Sequence, residues 1–437
     1  MAREPLVVWL YGTKIAVLSE PSNRRLRLEF NQEAEERFRP QSVVLSASMP
    51  IDVSRRPNGV PVRVFFHGLL PEGEARVRIS EEFGVTNGDD FGLLAAIGRD
   101  CAGAVVLQPE GERAPSTPTL ESVLEPGDLQ RAIEEIRERP LGAADDVRVS
   151  LAGAQDKLLL TQQSDGRWAR PVGGTPSTHI LKPQDMRFGG YAASEAFCLD
   201  LARQLGLTTV EATLVQIADR PTVIVSRYDR MATSDGIIRL HQEDALQALG
   251  RDASKYESDG GPSLRSVAKL LTTHARRADL VRLLELTTLN VVVGNADAHA
   301  KNLSILHPAD GSIELAPAYD VTPTTFYTAI PTSRGVVAMS DTLGMKVNSK
   351  RSINEVTAAD LIAEGRSWGM RQEEVEEAVM GTIESIGSLV GEAAKRWGIP
   401  DEMAEFVAAR GSRLKAAGPA GPEQARGRRR PESRLDN

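Results

Sequence analysis

Cysteine is scarce in this sequence, with only Cys101 and Cys198 among 437 residues. Because neither has a second cysteine or a histidine at metal-ligand spacing, we expect neither a disulfide framework nor a zinc site. No apolar run reaches the ~18 residues of a membrane-spanning helix, and residues 1–5 lack the apolar core of a signal peptide. These absences favour a protein of the reducing cytoplasm that does not enter membranes.

Positive charge is not in excess either, because 52 lysines and arginines face 60 aspartates and glutamates, a formal net charge of −8. A general nucleic-acid-binding role is therefore not favoured. Apolar residues make up 41% and charged residues 26% of the chain, which is usual for globular proteins. The length predicts two or three domains.

The chain divides into segments of different pattern. Short apolar runs broken by turns predict a β-rich start with a short helix at residues 91–97, whereas long apolar-periodic stretches predict helices in the second half. Asp128 is placed to cap a helix at residues 129–137. The predicted segments are residues 1–110, a β-rich module; 111–127, a linker; 128–228, a strand-rich lobe with one helix at 192–205; 229–414, a helical lobe; and 415–437, a disordered basic tail. The tail is either a nucleic-acid contact or, as we favour, a solvated end.

A polar segment follows the apolar helix predicted at residues 283–293. It carries Asp297 and, five residues later, Asn302; a predicted hairpin then leads to a second aspartate, Asp320. Phosphoryl transfer from ATP needs a carboxylate that accepts the proton of the attacking hydroxyl. It also needs an amide oxygen and a second carboxylate that hold Mg²⁺. We therefore predict Asp297 as catalytic base and Asn302 and Asp320 as metal ligands; ordinary Asx turns are the alternative.

A kinase also needs a lysine on a strand. Residues 178–183 predict a strand that Pro183 stops, with Lys182 at its end. The ammonium group would neutralise phosphate charge, and Glu195 on the following helix would orient it through an ion pair. Taken alone, either residue would be interpreted as a surface charge.

Upstream, a loop of small residues from 150 to 157 lies between two predicted strands. Small side chains let backbone amides approach phosphates closely. The loop has a single glycine, so it does not match G-x-G-x-x-G, and the chain has no Walker A lysine motif. The order of this loop, Lys182, Asp297 and Asp320 is nevertheless that of a protein kinase.

Residues 223–229 predict an extended hinge that leads into the helical lobe. Backbone groups of Ser226 to Tyr228 would bond the purine edge of ATP, with the Tyr228 ring nearby; alternatively, Tyr228 is a core residue. His299 is a second candidate base that we interpret as structural because Asp297 fills that role. The predicted ATP-binding residues are Ser150, Ala152, Gly153, Ala154, Gln155, Lys157, Lys182, Glu195, Ser226, Arg227, Tyr228, His299, Lys301 and Tyr319.

Several segments resemble the HipA-type kinases. They are Ser-Leu-Ala-Gly-Ala-Gln-Asp-Lys at 150–157, Leu-Lys-Pro at 181–183, His-Gln-Glu-Asp at 241–244, Lys-Tyr-Glu at 255–257, the polar segment at 294–302, Leu-Ala-Pro-Ala-Tyr-Asp at 315–320, and the N-terminal stretches 65–73 and 98–105. Their fixed order extends the resemblance over roughly residues 5 to 400. The tail after about residue 415 departs from the family pattern.

The resemblance implies an α+β, bilobal protein-kinase-like fold with a β-rich N-lobe, an extra N-terminal HipA-type module and an all-helical C-lobe. It implies a bacterial serine/threonine kinase toxin that uses ATP and Mg²⁺ and autophosphorylates Ser150. It further implies a helix-turn-helix antitoxin of the HipB type, with operator DNA bound through that complex. The best-known substrate of the family is glutamate–tRNA ligase, whose phosphorylation halts translation and favours dormancy and persistence.

Two other functions remain open at this point. A small-molecule kinase of the aminoglycoside-phosphotransferase type would share Asp297, Asn302 and Asp320, although the N-terminal module and the Ser150 loop count against it. A catalytically inactive scaffold would only bind the antitoxin and DNA, although every residue that the chemistry needs is present.

Overall fold

A computed structural model describes residues 3–21, 25–112, 122–143, 146–153, 155–185, 188–234, 236–332 and 335–416. Ala154, residues 113–121 of the predicted linker and the predicted tail from residue 417 onward therefore lie outside the described residues. Within the described residues, no helix combines the length and apolar character needed to cross a membrane.

The N-terminal module, by which we mean the described residues up to 112, is a four-stranded antiparallel sheet covered by helices. Its elements are β1 (Leu6–Leu10), β2 (Thr13–Ser19), β3 (Arg27–Phe30), α1 (Gln32–Phe38), α2 (Val60–Gly68), α3 (Gly73–Glu82), α4 (Asp90–Ile97) and β4 (Val106–Pro109), with sheet order β3-β2-β1-β4. The predicted hairpin is confirmed, since Tyr11 and Gly12 adopt positive φ between β1 and β2. The sequence prediction included α4 but not the three helices before it.

The upper lobe contains a five-stranded antiparallel sheet with one long helix packed on it. Its elements are α5 (Pro126–Glu134), β5 (Leu158–Gln162), β6 (Trp168–Ala169), β7 (His179–Pro183), α6 (Tyr191–Gln204), β8 (Ala212–Ile217) and β9 (Arg220–Ser226), with sheet order β6-β5-β7-β9-β8. Helix α5 begins three residues before the predicted start, because Glu125 is its N-cap and Asp128 completes the capping box from inside the first turn.

The lower lobe is built around two long helices, and short strands surround them. Its elements are β10 (Arg230–Thr233), β11 (Gly236–Arg239), β12 (His241–Asp244), α7 (Ala245–Leu249), α8 (Leu264–His274), α9 (Arg277–Val293), β13 (Ser304–His307), β14 (Glu314–Leu315), β15 (Ala329–Thr332), β16 (Gly335–Ala338), β17 (Thr342–Val347), β18 (Lys350–Ser352), α10 (Ala358–Ser367), α11 (Gln372–Trp397) and α12 (Asp401–Ala416). Helices supply most of the core of this lobe, but β13, β14 and β17 also contribute buried residues to it. The lobe is therefore not all-helical as expected, since it carries a three-stranded sheet, β12-β13-β14, and several two-stranded ones.

Helix α9 leads directly into the polar segment at residues 294–302, in which Asp297 is exposed. Its second half is almost entirely buried, because apolar residues and threonines surround the whole helix rather than one face. Gly294 ends it in the left-handed conformation, with φ +82°. The predicted hairpin is confirmed: β13 and β14 pair antiparallel, so Asn302 and Asp320 lie at its two open ends.

The hydrophobic core of the N-terminal module continues into the upper lobe. Val147, Val149 and Leu159 are buried in the same apolar cluster as Phe65 and Phe66 of the module. The N-terminal module therefore supports the start of the small-residue loop that follows Val149. This packing makes the module part of the wall of the site described next.

Candidate active site

A cavity of about 300 Å³ lies where the N-terminal module and the two lobes meet. It collects residues that are distant in sequence, among them almost all of those predicted to bind ATP or metal. The predicted residues on its wall are Ala152, Gly153, Gln155, Lys157, Lys182, Glu195, Ser226, Arg227, Tyr228, Asp297, His299, Lys301, Asn302, Tyr319 and Asp320. Ser150 is not on the wall, and Ala154 is outside the described residues.

Lys182 lies at the centre of one side of the cavity. Its Nζ is 2.6 Å from Oε1 of Glu195 on α6 and 3.2 Å from Oδ1 of Asp320. Burial disfavours the charged ammonium, but Asp320 and Glu195 outweigh this effect and raise the Lys182 pKa. The lysine is therefore a fixed cation.

Glu195 is almost fully buried, and its Oε2 has no hydrogen-bond partner among the described residues. Burial raises its pKa, whereas Lys182 opposes that rise. Lys182 lowers the pKa of Asp320, whose side chain is 44% exposed on the cavity side of the pair. The ion pair therefore keeps one unpaired oxygen at its buried end, and its Asp320 end is open toward the cavity.

The small-residue loop folds over a second lysine. Lys157 is buried and its Nζ donates to the main-chain oxygen of Ala152 at 2.6 Å. Gly153 is required here, because it adopts φ +111° and an added Cβ would lie 2.5 Å from that Nζ. Burial and the nearby Lys182 lower the pKa of Lys157 to about 8. Two lysines therefore lie within one anion-binding side of the cavity.

Hydrogen bonds hold the catalytic segment in a tight loop. Asn295 is buried, donates to Oδ1 of Asn290 at 2.9 Å and accepts from the amide of Asp297 at 3.2 Å. Nδ2 of Asn302 donates to the main-chain oxygen of Asp297 at 3.1 Å, which leaves its Oδ1 as the polar end available to a cation. Asp297 itself is exposed in the cavity.

The return strand places Asp320 opposite this loop. Its φ is +55°, a left-handed value that aspartate tolerates better than most residues. The preceding Tyr319 is anchored, since its hydroxyl contacts Oγ of Ser304 at 2.6 Å and donates to the Lys301 main-chain oxygen at 2.7 Å. A bent backbone therefore turns the Asp320 carboxylate toward Lys182.

The predicted hinge lines the cavity but uses its groups differently from the prediction. The amides of Ser226 and Arg227 already donate to Glu211 and Thr178 main-chain oxygens at 2.9 and 2.8 Å. Those two amides are therefore unavailable for a purine edge. The Tyr228 ring is 5.7 Å from that of Tyr319, and together the two rings form an aromatic side of the cavity.

The Arg227 side chain lies in a buried ion cluster rather than in the open cavity. We call this the hinge cluster: Asp100, Arg227, Asp229, Arg230 and Arg239. Arg227 is bidentate to Asp229 at 2.7 and 3.0 Å, and Arg230 reaches Asp100 at 2.9 Å. Because Asp100 comes from the N-terminal module, the cluster ties that module to the hinge.

Ser150 is the clearest departure from the predicted set. It is fully buried, and its Oγ donates to the main-chain oxygen of Leu69 at 2.6 Å. Its amide donates to the Asp100 main-chain oxygen at 2.9 Å. In this conformation Ser150 fastens the loop to the N-terminal module and does not contact the cavity.

Two residues at the site were missing from the predicted set: Glu72, which lines the cavity, and Tyr256, which is not on its wall but contacts Asp297. Glu72 of the module pairs with Lys301 at 3.0 Å and with Lys255 at 3.5 Å. Burial opposes the Glu72 charge, but the two lysines outweigh it and lower the pKa to about 2. Tyr256 donates to Oδ1 of Asp297 at 2.9 Å. Both Glu72 and Tyr256 lie in segments that resembled the HipA-type kinases. The resemblance therefore indicated these segments, but reasoning from side-chain chemistry did not identify the two residues.

The cavity also fits a divalent cation that is bound together with phosphates. The described residues include no group of three or more His, Cys, Asp and Glu side chains that would hold a metal alone. Asn302 and Asp320 nevertheless offer an amide oxygen and a carboxylate on one wall. Mg²⁺ typically takes one or two such ligands and completes its shell with waters and phosphate oxygens.

A lysine paired with a helix glutamate, an aspartate–asparagine loop and a second aspartate after a hairpin define a protein-kinase-like enzyme. Comparison with known families agrees. A family model described as the HipA-like C-terminal domain matches residues 149–390, and one described as the HipA N-terminal domain matches residues 6–108. The chain belongs to the HipA family of kinases, and this membership implies ATP as the phosphate donor.

Individual relatives support this assignment. The chain is 38% identical over 333 residues to the putative kinase Y4mE of Sinorhizobium fredii, covering 74% of each chain. It is 31% identical over 299 residues to the serine/threonine-protein kinase toxin HipA of Shewanella oneidensis, covering 65% of this chain and 67% of the relative. A solved Shewanella oneidensis complex of HipA, HipB and operator DNA has the same fold, with a TM-score of 0.77 at 24% identity, over 94% of this chain and 96% of that one. The expected bilobal fold with an added N-terminal module is thereby confirmed.

Proposed function

We propose that this protein transfers the γ-phosphate of ATP to a serine or threonine hydroxyl of a protein. The observation that carries the proposal is the convergence of Lys182, Glu195, Asp320 and Asp297 on one cavity. Lys182 and Lys157 supply positive charge for the phosphates. Tyr228 and Tyr319 supply an aromatic surface for the adenine ring.

In the proposed reaction, the acceptor oxygen forms a bond to the γ-phosphorus while the bond from that phosphorus to the β,γ-bridging oxygen breaks, and ADP leaves. Asp297 accepts the proton of the acceptor hydroxyl. Its loop is held by Asn295, so the carboxylate position is fixed before the acceptor arrives. Asn302 and Asp320 would hold Mg²⁺, which when bound neutralises phosphate charge.

We further propose that the kinase is the toxin of a toxin–antitoxin pair. Family membership supports this, as does the Shewanella oneidensis relative, which was solved with HipB and operator DNA. A HipB-like antitoxin and operator DNA bound through it are accordingly the proposed partners. Glutamate–tRNA ligase is the proposed substrate on the strength of the resemblance alone, and its phosphorylation would halt translation.

Self-phosphorylation of Ser150 is the proposed means of self-inhibition. Because Ser150 is buried against Leu69, the loop has to leave its present position before the hydroxyl can accept phosphate. A phosphate would add about −1.5 to −2 charge and could not return to a buried site that offers a carbonyl oxygen. The loop would then stay open, and Lys157 would lose its position over the cavity.

The direct test of the proposed catalysis is Asp297→Asn. We expect phosphate transfer to fall by roughly 10² to 10⁴ because the general base is lost, with unchanged ATP affinity. Transfer of labelled phosphate to protein and calorimetric titration with ATP measure the two quantities. Wild-type transfer rates in the variant would contradict the role of Asp297, and transfer to aminoglycosides or sugars instead of protein would favour a small-molecule kinase.

The toxin role predicts arrested growth when this protein is produced alone and normal growth when a cognate antitoxin is produced with it. Asp297→Asn is the matched control because it retains the fold. Phosphoproteomics of wild type against this variant after brief expression identifies the substrate, with glutamate–tRNA ligase expected. Unimpaired growth with soluble, ATP-binding protein would count against the toxin role.

A further inference from the structure

The proposed catalytic base already has a hydroxyl bound to it. The Tyr256 phenol lies 2.9 Å from Oδ1 of Asp297, the distance at which an acceptor hydroxyl would lie. Burial and then the Asp297 charge raise the pKa of Tyr256, so the phenol is protonated and donates to the carboxylate. The contact therefore has the polarity of the acceptor–base contact in the reaction.

We propose that the Tyr256 hydroxyl occupies the acceptor position in the resting enzyme, so that a protein hydroxyl must displace it to reach Asp297. This inference rests on the proposed function of Asp297 as the base. It makes Tyr256 a positioning residue that defines where the acceptor binds. Until it is displaced, the phenol occupies a hydrogen-bonding position of Oδ1 of Asp297 that water would otherwise take.

The backbone around Tyr256 is held in place, which leaves the side chain as the part that can move. The main-chain oxygen of Lys255 accepts from the amide of Ala300 at 3.1 Å, and that of Tyr256 accepts from Gly261 at 2.9 Å. The next residue, Glu257, accepts from the amide of Lys346 at 2.7 Å. These bonds fix the segment to both the catalytic loop and β17.

The contacts of the ring, by contrast, are weak and easily exchanged. It lies edge-on to His299 with ring centroids 5.2 Å apart, and the Lys255 ammonium is 5.5 Å from its centroid. The ring is partly exposed, and its hydroxyl has one hydrogen bond, to Asp297. Rotation of the side chain therefore breaks a single strong contact, which an incoming serine or threonine hydroxyl replaces.

The position of Tyr256 also defines the size of the acceptor site. The acceptor must reach Asp297 through the space that a phenol now occupies, between His299 and Lys255. A serine or threonine extends a short side chain from a backbone that can approach this space once the ring has rotated. For water and for a serine or threonine hydroxyl alike, displacing the ring exchanges one hydrogen bond for an equivalent one. A protein acceptor has further contacts with the enzyme that can offset the displacement, whereas water has none.

The test uses the full-length protein, Mg·ATP and no protein substrate, because water is then the acceptor. Tyr256→Phe removes only the hydroxyl. We expect ATP hydrolysis to rise on the order of tenfold, the factor that corresponds to one hydrogen bond to a charged group, with unchanged KM for ATP. With dephosphorylated casein as the protein acceptor, the KM for casein should fall.

Tyr327→Phe is the matched control, because it removes a phenolic hydroxyl that bonds to Ser194 and Gly189 and not to Asp297. Unchanged or reduced hydrolysis in Tyr256→Phe, with an unchanged melting temperature, would overturn the inference. Phosphotyrosine at position 256 would also overturn it, because the residue would then be an acceptor itself. If wild type and Asp297→Asn hydrolyse ATP equally, the proposed function fails instead.

Discussion

Two ion clusters differ in how fully their carboxylates are paired: the hinge cluster, and the group of Lys182, Glu195 and Asp320, which we call the open cluster. In the hinge cluster both oxygens of Asp100 and both of Asp229 have partners, and every member except the partly buried Arg239 is buried. Its only orphaned atoms among the described residues are Nε of Arg230 and of Arg239. In the open cluster Oε2 of Glu195 has no partner among the described residues, and Asp320 is partly exposed.

The difference distinguishes a cluster that holds segments together from a cluster that can bind a ligand. A closed set of charges can hold two segments together but has no capacity left for a ligand. A set with an unpaired carboxylate oxygen and a second, partly exposed carboxylate can still accept a further charged group. By this criterion the hinge cluster is architectural, and the open cluster of Lys182, Glu195 and Asp320 is the one that we expect to meet phosphates.

The largest expected effect comes from making an aspartate-to-asparagine change in the open cluster. Asp320→Asn retains the left-handed backbone, which asparagine tolerates, but removes the charge that Mg²⁺ needs. We expect phosphate transfer to fall by roughly a thousandfold and Mg·ATP affinity to fall with it, whereas the unfolding midpoint in urea stays near the wild-type value. Unchanged Mg·ATP affinity in calorimetry would refute the metal role; Asn302→Ala should behave similarly but more mildly.

The same change in the hinge cluster should reduce the stability of the protein and leave its Mg·ATP affinity near the wild-type value. Asp100→Asn leaves Arg239 without its carboxylate and buried Arg230 with Asp229 alone. Breaking a buried ion pair in this way typically reduces the free energy of unfolding by about 3 to 5 kcal/mol. Urea denaturation measures this change, with exposed Asp165→Asn as the control that leaves the midpoint unchanged. If the folded Asp100→Asn variant kept its stability and instead lost Mg·ATP affinity, the division between the clusters would be wrong.

A smaller effect concerns pH and sharpens the role of Lys157 beside the open cluster. Its folded pKa is about 8, against an ordinary 10.5, so the free protein loses this charge as pH rises through 8. ATP affinity should therefore fall on the order of tenfold between pH 7 and 9, and binding near pH 8 should take up protons. Titrations in buffers of different ionisation enthalpy detect that uptake, and Lys157→Met should abolish both effects.

The same lysine has a defined influence on stability. Because its folded pKa is lowered, the penalty for burying its charge is fully present below pH 8 and is relieved as pH rises from 8 toward 10.5. Lys157→Met should therefore stabilise the protein most at or below neutral pH. A stability difference that does not depend on pH would contradict the assignment of that pKa to Lys157.

The sequence predicted best those site residues that lie close to one another along the chain. The end of α9, the hairpin and the order of Asp297, Asn302 and Asp320 follow from apolar periodicity, turn residues and polar spacing within about forty residues. Lys182 and Glu195 are 13 residues apart, so a strand followed by a helix brings them together. Short-range rules were therefore sufficient to identify the residues proposed to carry the chemistry, Lys182, Glu195, Asp297, Asn302 and Asp320.

The contacts made across long sequence separations were not predictable in this way. Glu72 reaches Lys255 across 183 residues, and Tyr256 reaches Asp297 across 41. No local pattern says that a charge in an N-terminal helix will meet a loop of the lower lobe. Ser150 shows the same limit, since a serine that opens a loop of small residues gives no sign that Leu69 will bury it.

The hinge cluster has a consequence for how the chain is made. A ribosome synthesises Asp100 long before its partner Arg230, which follows 130 residues later. At usual elongation rates that interval is on the order of ten seconds, during which a carboxylate destined for full burial has to stay hydrated. Asp100 can therefore reach its buried, paired state only after the strand that carries Arg230 has emerged.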